Sequence, residues 1–144
     1  MSASNAMETG VLLLFFNNTD FANVGDAAGL QNSAAAGSLY VSLHTADPGE
    51  AGSQNTNETT YTNYARVAVA RSGAGWTVAG ANVSNAAIVA FPACGVTGAT
   101  ITHFGVGTDA AGAGTLLFSG TCSLVVSSGI TPQFAIGALD VDCD

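Results

Sequence analysis

The chain has 144 residues, which suits a domain with a hydrophobic core, and ten acidic residues against two arginines give it a net charge of −8. No basic patch can be assembled from this composition, which excludes nucleic-acid binding through phosphates and disfavours an anionic membrane surface. Hydrophobic residues make up 48% and charged residues 8%, so the chain is not disordered, and much of its surface is expected to be buried against other subunits.

The first predicted element is a helix over residues 4–17, with Ser4 as its N-cap. We expect this helix to dock on the sheet or on a neighbouring subunit. Its apolar run Val11–Phe16 is too short for a signal peptide or a membrane span, so neither secretion nor a transmembrane segment is expected. Residues 21–37 show no periodicity and are left as a loop or a short helix.

From Leu39 onward apolar and polar residues alternate, which is typical of β-strands. Glycine-rich and Asp-Pro-Gly turn signals separate the segments. The predicted strands are 39–44, 64–71, 76–79, 88–91, 100–107, 115–119, 123–127, 133–136 and 139–141. Since no long helix alternates with these strands, the predicted fold is mainly β: a compact antiparallel β-sandwich or barrel with an N-terminal helix, in one β-rich domain over residues 1–144.

The polar stretch after the first strand is the main candidate for chemistry, because it places His44, Asp47, Glu50 and Glu58 close together in sequence. Carboxylates suit calcium, so a hydrolase or a calcium-dependent glycan-binding module is a remote alternative. The spacing matches no EF-hand, and Asp-Pro-Gly is typical of a turn in which the Asp side chain bonds the backbone. We therefore predict a structural turn here and no metal site.

Catalytic and cofactor motifs are absent from the sequence. There is no GxSxG, HExxH, phosphate-binding glycine loop or CxxC pair, so we predict no catalytic residue, no cofactor and no enzyme activity. The three cysteines, Cys94, Cys122 and Cys143, are interpreted as mostly reduced structural thiols of a protein that folds in a reducing cytoplasm. A Cys94–Cys122 bridge is left open.

Arg66 and Arg71 are the chain's only basic residues apart from its histidines. In an acidic chain, each arginine is expected to have a carboxylate partner. An ion pair within the subunit and a bidentate pair across a subunit interface are both compatible with the sequence, and the second would fix the orientation of a neighbour.

Five segments, in this order, resemble a family of small tailed-phage virion structural proteins: LYVSLHTADPGEAG, NETTYTNYARVAVAR, AAIVAFPA, ITHFGVGTDAAGAGTLLFSG and VSSGITPQFAIGALDV. The resemblance covers about residues 5–142, and members of the family are commonly labelled tail fibre proteins. It implies no enzyme activity and no cofactor. The residues to which it assigns a structural or interface role are Asp47, Pro48, Gly49, Glu58, Tyr64, Arg66, Arg71, His103 and Phe104. Residues 21–37, Cys122 and Cys143 depart from the family pattern.

The function predicted from these observations is a capsid decoration, or cement, protein that binds the major capsid protein or other virion subunits and stabilises the head shell. Homo-oligomers are expected, with a trimer favoured, and the predicted location is a virion assembled in the bacterial host cytoplasm. The alternative is a tail or fibre component.

Overall fold

The computed structural model describes residues 2–143. Within this range there is one α-helix, followed by nine strands: α1 Asn5–Asn17, β1 Ser38–His44, β2 Val67–Ala70, β3 Trp76–Ala79, β4 Asn82–Asn85, β5 Val89–Ala90, β6 Ala99–Gly107, β7 Leu116–Val126, β8 Gln133–Phe134 and β9 Asp140–Asp142. The pairs β1–β6, β6–β7, β3–β4, β4–β9 and β5–β8 are antiparallel. The predicted mainly-β class with antiparallel strands and an N-terminal helix is therefore confirmed.

The chain forms two compact units, each built from segments that are distant in sequence. Unit 1 contains the residues up to 38, residues 70–87 and the residues from 135 onward, and unit 2 contains residues 39–69 and 88–134. The single domain over residues 1–144 stays a prediction. Among residues 2–143, no helix has both the length and the hydropathy to cross a membrane.

Unit 1 is organised around α1. The Met7 N–H donates to Ser4 Oγ at the start of the helix, and Asn18, in the left-handed region at φ 52°, ends it. The buried side chains of α1 are Leu12 and Phe16, and the Phe16 ring meets the ring of Trp76 on β3 edge to face at 4.9 Å. The helix packs against β3 and β4, which form a three-stranded sheet with β9.

Gly10 in the middle of α1 has a packing reason. A Cβ at this position would lie 2.6 Å from the ring of Phe21, so only glycine lets that ring lie against the helix. Phe21 in turn forms an isolated β-bridge with Leu30. This bridge closes a loop within residues 21–37, the stretch that the sequence left as a loop or a short helix. The helix is retained despite its glycine because Leu12 and Phe16 are buried in unit 1.

Unit 2 contains the largest sheet, with the strand order β2-β1-β6-β7, and the small β5–β8 pair. β1 and β6 pair from Tyr40 opposite Gly107 to His44 opposite His103. Aromatic rings fill this unit: Phe134 meets Phe91 at 6.1 Å and Phe104 at 5.9 Å between ring centroids. These contacts hold the β5–β8 pair on the core side chains of β6.

Three of the predicted strands differ most from the observed ones. The predicted strand 64–71 begins only at Val67, because Asn63 has φ 77° and the side chains of Tyr64 and Arg66 are directed to Glu58. The predicted strands 115–119 and 123–127 form one strand, β7, through Gly120. Gly120 lies opposite Phe104, and a Cβ there would be 2.7 Å from the Phe104 ring, so this glycine makes room for an aromatic side chain and marks no turn.

Candidate functional site

The loop after β1 begins with the turn at Asp47-Pro48-Gly49. The Gly49 N–H donates to Asp47 Oδ1 at 2.8 Å, and Gly49 has φ 70°, a conformation that favours glycine. The Asn57 side-chain amide donates to the Asp47 carbonyl at 2.8 Å, which ties the start of the loop to its far end. The Asp47 side chain thus makes the turn contact that its sequence context indicates.

Glu58 is the centre of the polar cluster in this loop. Its Oε1 accepts from Tyr64 Oη at 2.8 Å and from Arg66 Nε at 2.7 Å, and its Oε2 accepts from Arg66 Nη2 at 2.7 Å. The Tyr64 hydroxyl also accepts from the Leu43 N–H at 3.0 Å, so the cluster is fixed to β1. We call Glu58, Tyr64 and Arg66 the Glu58 cluster. Three of the residues that the sequence singled out therefore come together.

Arg66 uses its remaining donors on the hairpin between β6 and β7. Nη1 donates to the Asp109 carbonyl at 2.8 Å, and Nη2 donates to the Gly112 carbonyl at 2.7 Å. The Arg66 side chain is 2% exposed and that of Glu58 15%. A planar guanidinium is the group that can bind a carboxylate bidentately and two carbonyls at once. The cluster therefore joins the loop after β1 to the β6–β7 hairpin within one chain.

The protonation states of Tyr64 and Arg66 are strongly biased. Hydrogen bonding to Glu58 raises the pKa of the Arg66 guanidinium above its usual value. Burial, together with the Glu58 carboxylate to which it donates, raises the pKa of the Tyr64 hydroxyl far above its usual range. Tyr64 therefore stays a neutral donor and Arg66 a cation at physiological pH. Neither residue can act as a general base, because neither can be deprotonated there.

His44 lies on β1 and is fully buried. Its Nδ1 is 2.8 Å from the Thr56 carbonyl oxygen, which can only accept, so Nδ1 carries the proton and Nε2 accepts from Ser42 Oγ at 2.8 Å. Burial lowers the pKa of His44 below 6.5, which favours the neutral ring. Although Ser42 and His44 resemble a nucleophile–base pair, both side chains are 0% exposed, so no substrate reaches them in this structure.

The other predicted residues have separate surroundings. His103 is opposite His44 in the β1–β6 pair, is half-buried, and its Nδ1 lies 2.9 Å from Thr102 Oγ1. Phe104 is 4% exposed and packs on Phe134. Glu50 is exposed. These residues do not join the Glu58 cluster.

Arg71 lies in unit 1, and its partners differ from the carboxylate that the sequence predicted. Among residues 2–143 its guanidinium donates to the Phe15 and Leu14 carbonyls at 2.6 Å each and to the Ala36 carbonyl at 3.1 Å. The last carbonyls of a helix have no partner within the helix and carry partial negative charge. Arg71 therefore caps the C-terminal end of α1, which is a physical reason for a cation without a carboxylate.

Gln54 was missed from the sequence. It is fully buried, its Oε1 accepts from the Asp109 N–H at 2.8 Å, and its Nε2 donates to the Tyr40 carbonyl at 3.3 Å. A Cβ on Gly107 or Gly114 would collide with its side chain. Gly107 and Gly114 were the only available signal, and they were interpreted only as the end of a strand and as part of a turn.

The Glu58 cluster lines a groove of about 670 Å³, together with Asn55, Thr59, Thr60, Tyr61, Thr62, Asn63, Ala65, Ala111 and Gly112. Tyr61 is also engaged: its hydroxyl donates to the Pro92 carbonyl at 2.8 Å, and burial raises its pKa to about 12. Within residues 2–143, no three His, Cys, Asp or Glu side chains are grouped so that they could hold a metal ion. Cys94, Cys122 and Cys143 are free thiols, and burial raises the pKa of Cys122 to about 11.

Comparison with protein-family models identifies a family that matches the chain. The family described as Podophage GP4 fiber I protein gp80 matches residues 2–142, nearly the whole chain. No curated protein matches the sequence.

Proposed function

The chain belongs to the Podophage GP4 fiber I protein gp80 family of phage virion proteins, and from this we propose that it is a non-enzymatic structural subunit of a tail or fibre. The observation that carries the proposal is the extent of the match. Residues 2–142 include all the described elements of both compact units, so the likeness concerns the whole fold and not one shared motif.

The geometry of unit 2 supports a structural role. The groups with the greatest potential for chemistry are already bonded to one another: Glu58 to Arg66 and Tyr64, and His44 to Ser42 and a carbonyl. A catalytic base must reach a substrate and change its protonation state near neutral pH, whereas His44 is buried with a lowered pKa, and Tyr64 and Arg66 are held in their protonated states by raised pKa values. The bonds fix the loop after β1, which gives a subunit a defined surface for its neighbours.

The fibre role replaces capsid decoration as the first choice. The sequence favoured a cement protein on size and composition, while the family match favours the tail or fibre alternative. The expected partners are other virion subunits, and the expected location is the virion.

Contacts between this chain and other acidic subunits are made mainly by uncharged surface in this proposal. Both arginines are committed inside the chain, Arg66 to Glu58 and Arg71 to helix carbonyls, while the net charge is −8. An ion-pair interface with an acidic partner is therefore not open to this protein. Backbone pairing and small apolar or hydroxyl side chains remain as the available contacts with an acidic partner.

The test is a phage in which the gene for this chain carries an early stop codon. We expect particles with filled heads of normal heat resistance but with missing or shortened fibres, seen by negative-stain electron microscopy and restored by the wild-type gene. Heads that lose heat resistance while the fibres stay complete would contradict the proposal and restore the decoration hypothesis.

A further inference from the structure

His44 is a titratable side chain that is enclosed at the end of β1. Its ring is fully buried, and each ring nitrogen has a partner at 2.8 Å, the Thr56 carbonyl for Nδ1 and Ser42 Oγ for Nε2. On β6 the ring lies against Gly105, where a Cβ would be 2.7 Å from His44 Nε2 and from Ser42 Oγ. The Ser42–His44 pair therefore fills the space that this glycine leaves.

The loop after β1 covers the ring through residues 45–57, which include the carbonyl that binds Nδ1. Two backbone bonds hold this segment down: the Thr45 N–H donates to the Asn57 carbonyl, and the Gln54 N–H donates to the Gly114 carbonyl, at 2.9 Å each. Asn57 is exposed, so the chain next to the ring contact is itself at the surface. The ring is thus separated from solvent by a segment that has few backbone bonds.

The ends of this segment are fixed by contacts outside it. His44 is the last residue of β1, which pairs with β6, and Glu58, directly after the segment, is held by Tyr64 and Arg66. Opening of residues 45–57 can therefore leave the β1–β6 pairing and the Glu58 cluster in place. Local openings of this kind cost less free energy than global unfolding.

A proton on Nε2 conflicts with the closed arrangement. The ring would then donate to Ser42 Oγ, so the Ser42 hydroxyl hydrogen would lose its acceptor, and that hydroxyl has no other partner among residues 2–143. Of the charged groups that act on the ring, Glu58 favours the imidazolium, whereas Arg66 and His103 on β6 oppose it. Because both oxygens of Glu58 are already bonded to Arg66, a charge on the buried ring is poorly compensated.

We propose that residues 45–57 form a latch over His44, which opens into solvent as a unit when the ring takes up a proton, while β1 stays paired with β6. At neutral pH the latch is closed, because opening exposes the buried Gln54 and breaks its bond to the Asp109 N–H. Below about pH 6.5 the open form takes up the proton and the closed form does not, so the open population rises up to about tenfold per pH unit. The inference does not rest on the fibre assignment.

The first test is amide hydrogen exchange, followed by NMR at about pH 7.5, 6.5 and 5.5, with each rate compared with that of an unstructured chain at the same pH. The N–H groups of Thr45 and Gln54 report on the latch, and those of β6 report on global unfolding. The latch amides should be less protected than those of β6 and should respond little to dilute urea, because a local opening exposes little surface. Their protection should fall up to about tenfold per pH unit below about pH 6.5.

Two variants assign this fall in protection to one of the two histidines. His44→Gln removes the titrating group and should make the protection of the latch amides independent of pH over this range. His103→Gln is the matched control, since it removes the histidine that lies opposite on β6, and it should keep the dependence.

The second test starts from the latch and leaves the buried Ser42–His44 pair unchanged. Asn57→Ala removes the side-chain bond to the Asp47 carbonyl and places alanine at φ 55°, so it weakens the closed latch. The His44 ring, followed in an NMR titration, should then take up its proton at a higher pH than in wild type, because the coupling is reciprocal. Asn23→Ala, the same change at an exposed asparagine of unit 1 with φ 63°, should leave the titration unchanged.

Three results would overturn the inference. The first is exchange of the latch amides with the protection and the urea dependence of β6, which would mean that the loop opens only when unit 2 unfolds. The second is protection of the latch amides that does not change with pH in wild type, or that falls equally in His44→Gln. The third is an Asn57→Ala variant in which His44 titrates at the wild-type pH.

Discussion

The chain's two arginines are held in different ways in the two compact units. Arg66 in unit 2 is nearly inaccessible and binds both oxygens of the Glu58 carboxylate. Arg71 in unit 1 is half-buried and binds the last carbonyls of α1. Removal of Arg66 leaves a largely buried carboxylate without its counter-ion, whereas removal of Arg71 leaves carbonyls that water can reach. Loss of an arginine is therefore expected to lower stability by very different amounts at these two positions, which are five residues apart.

The largest expected effect is that of Arg66→Ala. It should lower the free energy of unfolding by about 3–5 kcal/mol, because Glu58 and the carbonyls of Asp109 and Gly112 lose their partner together. The measurement is urea unfolding followed by tyrosine fluorescence, since Tyr40, Tyr61 and Tyr64 all lie in unit 2. A loss below about 1 kcal/mol would mean that the pair behaves like a surface salt bridge.

A double-mutant cycle with Glu58→Gln isolates the pair itself. The double variant should be more stable than the sum of the single changes predicts, by about 1–3 kcal/mol, because it leaves no unpaired charge. The matched control combines Glu58→Gln with Arg71→Ala. These residues share no hydrogen-bond partner among those found in residues 2–143, so their effects should add within about 0.5 kcal/mol. If the effects add in both cycles, Arg66 is no more strongly coupled to Glu58 than Arg71 is, and the distinction between the two arginines fails.

The pH dependence of stability concerns unit 2, which contains both histidines. Burial lowers the pKa of His44 below the ordinary 6.5, so the unfolded chain takes up its proton first as the pH falls. The free energy of unfolding should therefore decrease below about pH 6.5, by up to about 1.4 kcal/mol per pH unit.

The measurement is the urea midpoint at about pH 7.5 and at about pH 5.5, above the range in which most carboxylates titrate. His44→Gln should reduce the difference between the two urea midpoints, and the control His103→Gln should leave that difference unchanged. A slope that is unchanged in His44→Gln would exclude His44 as its source.

The smallest expected effect is that of Arg71→Ala, about 1 kcal/mol, since cations at exposed helix C-termini contribute about 0.3–1 kcal/mol. Trp76, the only tryptophan, packs on Phe16 in unit 1, so tryptophan fluorescence reports on this region. Arg71→Lys keeps the charge but not the planar fork and should recover part of the loss. A loss as large as that of Arg66→Ala would contradict the assignment of Arg71 as a helix cap.

Much of the fold could be predicted because local patterns decide it. Alternation placed β1 and β6 within one residue of their observed bounds, and Ser4 indicated the helix start. β4, with the sequence NVSN, was missed because its two asparagines obscure the alternation of apolar and polar residues that is typical of a strand. Asn85 is instead a buried structural residue, whose side chain binds the Ala87 and Ala135 carbonyls. A partner fifty residues away leaves no periodic signal in the sequence.

The candidate site was predictable in composition but not in arrangement. The motif residues Glu58, Tyr64 and Arg66 were identified, yet nothing in their spacing distinguished an ion pair within the chain from one across an interface. The choice depends on the hairpin carbonyls of Asp109 and Gly112, which complete the surroundings of Arg66 from more than forty residues away. Gln54 was unpredictable for the same reason, since its partners lie on β1 and on that hairpin.

The most direct test of the central claim, that the chain is a fibre subunit, is a cryo-electron microscopy map of the intact virion into which each compact unit is fitted separately. If the chain is a fibre subunit, we expect density for both units in the tail or its fibres, with no copies on the head shell. Density for this chain on the outer surface of the head, in the absence of any in the fibres, would contradict it.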